Sequence, residues 1–134
     1  MIRRTVHSVA LALLVAGCAA APVPSSELVP VPTQSPPPFL DLGPRACPTA
    51  LLEGVLVRHD EAGMAVQGDP NFPPTPVMWP HGWAARDVEG VRDLLDADGR
   101  VVGREGDFVS AGGGMNAANT AFVPCGTPEI TPAE

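Results

Sequence analysis

Apolar and polar positions divide the chain into three stretches. An unbroken apolar run, VALALLVA (residues 9–16), stands near the start, behind Arg3 and Arg4. Between Ala19 and Ala46 prolines recur every few residues, and no helical or strand period establishes itself. Beyond Cys47 short apolar segments rich in Val and Leu alternate with clusters of Gly, Pro, Asp and Asn, the punctuation of a strand-and-turn protein.

Within that last stretch LLEGVLVRH (residues 51–59) and MAVQG (64–68) are apolar arms around a polar turn, which predicts a hairpin. DPNFPPTP (69–76) is a loop by its proline content, and VMW (77–79) is a short strand stopped by Pro80. A second hairpin is predicted around Asp98-Gly99, a pair suited to a tight turn with positive φ, and a further turn at Glu105-Gly106 leads into DFVS. Val88, Val91 and Leu95 stand at near-helical spacing, but Gly90 interrupts them, so at most one helical turn is expected there. Gly112, Gly113 and Gly114 suit close backbone approach at a barrel corner. About five short strands in roughly 80 residues predict an all-β domain, a small OB-like barrel in which closure removes exposed edges.

The proline distribution sets the expected domain boundaries. Eight of the 17 prolines fall between Ala19 and Ala46, where they fix φ and remove donors. Polyproline II at about 3.1 Å per residue would reach roughly 80 Å, so this part reads as a disordered stalk holding the domain off its anchor. The expected organisation is a signal peptide (1–17), a linker (18–46), a β domain (47–127) and a flexible C-terminal tail (128–134). Ser25, Ser26, Thr33 and Ser35 offer hydroxyls for sugars on the stalk.

Charge narrows the partners. All eight basic residues are arginine, against fifteen carboxylates, and loss of Arg3 and Arg4 with a signal peptide leaves a net charge of −9. Nucleic-acid binding draws its affinity from clustered positive charge, and this chain lacks it. Adhesion to anionic lipid through a basic patch is excluded for the same reason.

The start of the chain supplies another route to a membrane. Arg3 and Arg4 form a positive n-region, and the apolar run is far shorter than the roughly 20 residues of a membrane span. His7 stands where a twin-arginine signal is usually apolar. LVAG-C (residues 14–18) resembles the lipobox of bacterial lipoproteins. The resemblance implies that Cys18 receives a diacylglyceryl group through its sulfur and becomes the first residue after cleavage. Two acyl chains hold a protein stably, at about 0.8 kcal/mol per buried CH₂. The expected location is the cell membrane or outer membrane, lipid-anchored, with the domain extracytoplasmic.

Cys47 and Cys125 remain, one at each end of the apolar-rich part, and an exported chain meets oxidising conditions. A disulfide closing about 79 residues contributes roughly 4.5 kcal/mol in the chain-entropy model. Zinc ligation is the alternative, but these cysteines have no local CxxC and no nearby histidine pair.

The remaining chemistry is sparse. DADG (96–99) fails as a calcium loop, because Arg100 takes the fifth position, Val101 the sixth, where glycine is required, and Asp107 the twelfth. Asp87, Glu89, Asp93, Asp96 and Asp98 make either a cation-attracting face or ordinary solvated charge. In WPHGW the residues Trp79, His81 and Trp83 are the candidate ligand-binding set, with indoles to stack on a sugar or peptide and an imidazole to bind a proton or metal; the alternative is that both tryptophans are core. His59 and His81 are the candidate metal ligands, provided that the fold brings them together. Ser110 lacks a G-x-S-x-G setting and a nearby histidine, and the three glycines lack the Gly-Lys-Ser/Thr of a phosphate loop. The expectation is a non-enzymatic chain without a cofactor.

The order LEGVLV, WPHGW, DADGRVVGREGD and GGG is similar to a small β-barrel domain of bacterial envelope lipoproteins, a resemblance that implies a fold and no activity. Two functions stay open. One is a tethered module that meets an envelope protein or glycan, which requires an exposed apolar or aromatic patch. The other is a metal- or small-ligand-binding lipoprotein, which requires His59 and His81 to converge with nearby carboxylates.

Overall fold

The computed structural model describes residues 26–35 and 47–134. Arg3, Arg4, the apolar run, Cys18 and Ser25 lie outside the described residues, as do residues 36–46. The described residues are all-β. They form β1 (Leu28–Val29), β2 (Ala50–His59), β3 (Gly63–Gln67), β4 (Thr75–Pro76), β5 (Ala84–Val88), β6 (Val91–Leu95), β7 (Val101–Arg104), β8 (Phe108–Met115), β9 (Phe122–Pro124) and β10 (Glu129–Thr131).

Both predicted hairpins are present. β2 and β3 pair antiparallel from Val55↔Gln67 to His59↔Gly63. The period of two in β2 turns Leu52, Gly54 and Leu56 inward and leaves Leu51, Glu53 and Val55 outside. β6 and β7 pair around residues 96–100, where the Asp96 carboxylate accepts the backbone N–H groups of Asp98 and Arg100, both at 2.9 Å. The helical turn expected near Gly90 is instead a third hairpin. β5 and β6 pair from Ala84↔Leu95 to Val88↔Val91, and Glu89 (φ 50°) with Gly90 (φ 84°) supplies the two positive φ values of a tight hairpin turn. The glycine that interrupts a helix is what this turn requires.

The larger sheet runs β10-β8-β2-β3-β4, with β9 also on β8. It curls back on itself. Just past β4, Val77 makes a parallel bridge to Phe122 of β9, and the Met78 N–H donates to the Phe122 carbonyl at 2.8 Å. Taken in chain order as first to fifth, β2, β3, β4, β8 and β9 close in the order first, second, third, fifth, fourth, with third and fifth parallel. This is the expected OB-like barrel. β8 carries the closure, with β2 on one edge and β9 and β10 along the other. A Cβ on Gly113 would collide with the Val123 carbonyl, so β9 reaches β8 only because that position is glycine.

A second sheet, β1-β5-β6-β7, packs on the barrel. The shared core contains Leu56, Met64, Val66, Val77, Trp79, Trp83, Ala85, Leu94 and Val109, with Val29, Val31, Leu52, Val102 and Ile130 against it. Gly103 of β7 sits where the two sheets meet. A side chain there would come within 2.9 Å of both Leu56 and Ile130. Cys47 and Cys125 form the expected disulfide, spanning 78 residues, and so fasten the start of the barrel to the end of β9.

Both expected boundaries need correction. Residues 26–35 are part of the fold and not of a stalk. β1 pairs antiparallel with β5, and Thr33 bridges Trp79 in parallel. The Pro32 carbonyl accepts the Trp79 N–H at 2.9 Å, and the Gln34 N–H donates to the Trp79 carbonyl at 2.8 Å. Proline is unfit for a central strand, but an outermost strand needs only carbonyls and alternate donors on its inner edge. At the other end, the expected flexible tail contains β10, whose Ile130 packs on the core, and the Ala133 N–H donates to Asp107 at 3.1 Å.

Candidate interaction surface

WPHGW is a turn with a core residue at each end. Trp79 is fully buried and Trp83 nearly so, and their rings stack 5.9 Å apart at an interplanar angle of 8°. Gly82 (φ 83°) tightens the turn, and a Cβ there would press on Ala97. The strap of residues 26–35 closes over Trp79 by backbone pairing, and Gln34 Nε2 donates to the carbonyls of Met78 (3.2 Å) and Pro124 (3.0 Å). The candidate ligand set Trp79, His81 and Trp83 is therefore not assembled. His81 is exposed, whereas the indoles belong to the core. Among the described residues Trp79 Nε1 is buried without a hydrogen-bond partner, an orphaned donor of the kind that costs about 1–3 kcal/mol.

The candidate metal ligands fare no better. His59 Nδ1 accepts the Ala62 N–H at 3.0 Å, which commits that lone pair to the β2–β3 turn. Among the described residues no group of three or more His, Cys, Asp or Glu side chains could hold a metal ion. The acidic residues are likewise dispersed. Asp96 caps its turn, Asp98 pairs with Arg100 at 3.4 Å, and Glu89 stands in the β5–β6 turn.

Asp87 and Asp93 serve two ion clusters. Arg92 grips Asp87 through two hydrogen bonds of 2.8 Å and donates to the Gly63 carbonyl at 2.8 Å. Arg58 reaches Asp87 and Glu105, each at 3.4 Å, and the Gly90 carbonyl at 3.0 Å. This cluster ties β2 to β5 and β6 across the two sheets. Asp93, only 2% exposed, lies between Arg104 (3.1 Å) and Arg86 (3.5 Å). All five arginines among the described residues are thus in ion pairs.

What stands open is apolar. On the outside of the barrel Val55 and Phe108 are direct cross-strand partners on β2 and β8, and both are exposed. Leu51, 63% exposed, lies on the same face opposite Gly112, with Glu53 and its partner Ser110 between it and Val55. Phe72, 68% exposed, belongs to the loop that Gln67 holds by donating to the Asp69 and Phe72 carbonyls, and Gln67 is the β3 partner of Val55. Sequence reading found this hairpin but gave no reason to single out its outer face, because strand alternation does not say which apolar residues lack a cover. The pairing register supplies that information.

Two measurements check the roles assigned to Trp79 and Asp87. Trp79→Ala is expected to cost about 3–5 kcal/mol in denaturant unfolding. Trp79→Phe keeps a buried ring and removes the orphaned donor, so its cost is expected to be smaller; equal losses would contradict this packing. The hydrogen bonds from Arg92 hold the Asp87 carboxyl below its ordinary value, with the charges of Arg92 and Arg58 adding to them against partial desolvation. A lowered folded-state value stabilises above the unfolded value, about pH 4, and the stabilisation is lost as pH falls through the folded one. Wild type is expected to exceed Asp87→Asn in stability at pH 6, and the difference to close as pH drops below about 4. A difference that stays constant into acid would exclude this ion pair as its source.

Compared with protein-family models, with curated proteins and with solved structures, the chain matches none.

Proposed function

We propose that the protein is a lipid-anchored cell-envelope lipoprotein, held at the cell membrane or outer membrane by diacylglyceryl on Cys18, whose acidic barrel is a non-enzymatic interaction module. The observation that carries this reading is the exposed cross-strand pair Val55 and Phe108 on the outer face of β2 and β8, with Leu51 exposed farther along that face beyond Glu53 and Phe72 exposed on the β3–β4 loop. Large apolar side chains left uncovered together on one face of a small domain mark a docking site. The partner is an envelope protein or a glycan, because aromatic and aliphatic side chains on a flat sheet suit either. The rival metal-site reading has His59 committed to its own turn and gains no support from the geometry.

The folded strap changes how the module is held. With residues 26–35 on the domain, only residues 19–25 separate Cys18 from the fold, about 25 Å at polyproline II rise instead of roughly 80 Å. The barrel works close to the membrane.

Radiolabelled fatty acid is expected to enter the wild-type chain and not Cys18→Ala; equal labelling would refute the anchor. For the module, a photo-crosslinking residue at Phe108 is expected to give a discrete adduct in intact cells, and the adduct to be lost with Val55→Asp. Adducts that are unaffected by that change would place the contact elsewhere.

A further inference from the structure

We propose that the outer face of the small sheet β1-β5-β6-β7 is the surface on which the domain rests against the bilayer. The proposal rests on the Cys18 anchor and adds to it which side of the domain faces the lipid.

The register defines this face. Leu28, Arg86, Asp93 and Arg104 are successive partners across the four strands and form one row. Val88 with Val91 flanks the row on one side, and Ala84 and Val101 flank it on the other, where Leu95, in register with them, is buried. The opposite face of the sheet carries Val29, Ala85 and Leu94, which belong to the core or pack on it. Of the outer residues Leu28 is 59% exposed, Val91 43% and Val101 41%. Exposed aliphatic side chains thus stand at the margins of the face and charge at its centre.

That centre is cationic. Arg86 and Arg104 share the single carboxylate of Asp93, which leaves one guanidinium charge uncompensated among the described residues. The other arginines among the described residues are balanced, Arg58 and Arg92 by Asp87 and Glu105, Arg100 by Asp98. A guanidinium suits the phosphate of a lipid headgroup, and Val and Leu around it suit the boundary with the acyl chains. Glu27, Glu89, Asp96 and Asp98 lie at the ends of these strands and in their turns, so attraction to a strongly anionic surface is not the driving force.

Tether geometry selects the bilayer as occupant. The chain enters the fold through β1, the edge strand of this sheet, and seven residues, 19–25, span the gap to Cys18. So short a tether holds this face at high effective concentration near the lipid, and a contact too weak to bind alone is then occupied. Leu51, Val55 and Phe108, on the outside of the other sheet, are turned away from the membrane.

The test uses the full lipidated chain in phosphatidylcholine vesicles that contain spin-labelled lipid. A fluorophore is placed singly by Leu28→Cys, Val91→Cys or Val101→Cys, and for comparison by Leu51→Cys or Phe72→Cys. Fluorescence loss is expected at the first three positions and not at the last two. In Arg104→Glu, which makes the centre anionic, the chain is expected to float with the vesicles still and the loss at Val101→Cys to shrink. Labelled chains that float with the vesicles while all five positions stay bright, or dim equally, overturn the proposal alone. Failure to float, with Cys18→Ala behaving the same, removes the anchor and this proposal with it.

Discussion

The peptide groups on either side of Trp79 are the constraint on which the rest of the structure depends. Its N–H and carbonyl are both taken by the strap, at Pro32 and Gln34, while Met78 next to it donates to β9. One short segment is thereby tied on one side to the N-terminal strap and on the other to the strand that closes the barrel. Burial of the stacked indoles would be untenable without that pairing, because unpaired backbone polar groups beside a buried ring cost free energy comparable to lost hydrogen bonds. The strap thus completes the core.

The distribution of charge follows from the same economy of parts. The five arginines among the described residues are spread over two clusters and one turn; Arg58 and Arg92 cross between the two sheets, while Arg86 and Arg104 pair with Asp93, their register partner on β6. Arg92 is the most constrained, reaching Asp87 on β5 and the Gly63 carbonyl at the start of β3. With arginine engaged internally, the surplus carboxylates keep the surface acidic and the exposed aliphatic residues become its distinguishing feature. These residues lie on the outsides of the two sheets, with the core between them.

Much of the barrel was legible in the sequence, and the reasons are local. The arms of β2 and β3, the Asp98-Gly99 turn and the two distant cysteines each carry their signal within a few residues or in the choice of residue type. The β5–β6 hairpin was not legible, because Val88, Val91 and Leu95 fit a helical period and the turn that overrides it rests on Glu89 adopting positive φ, uncommon for that residue. The strap was misread for a different reason. Pro30 and Pro32 exclude a central strand, but whether a segment lies at an edge is decided by a partner far away in the chain, here β5 and Trp79. For the candidate site, the aromatic pair was visible and its burial was not. The exposed pair on β2 and β8 depends on register between strands some fifty residues apart, which no local pattern encodes.

Amide hydrogen exchange at Trp79 and Gln34 tests the central claim most directly. If the strap is part of the fold, both N–H groups exchange as slowly as the paired amides of β2 and β3, because they open only when the core does. Exchange at the rate of an unstructured chain at Gln34 and Trp79, with β2 and β3 still protected, would show that the strap leaves the domain freely and would return residues 26–35 to the linker.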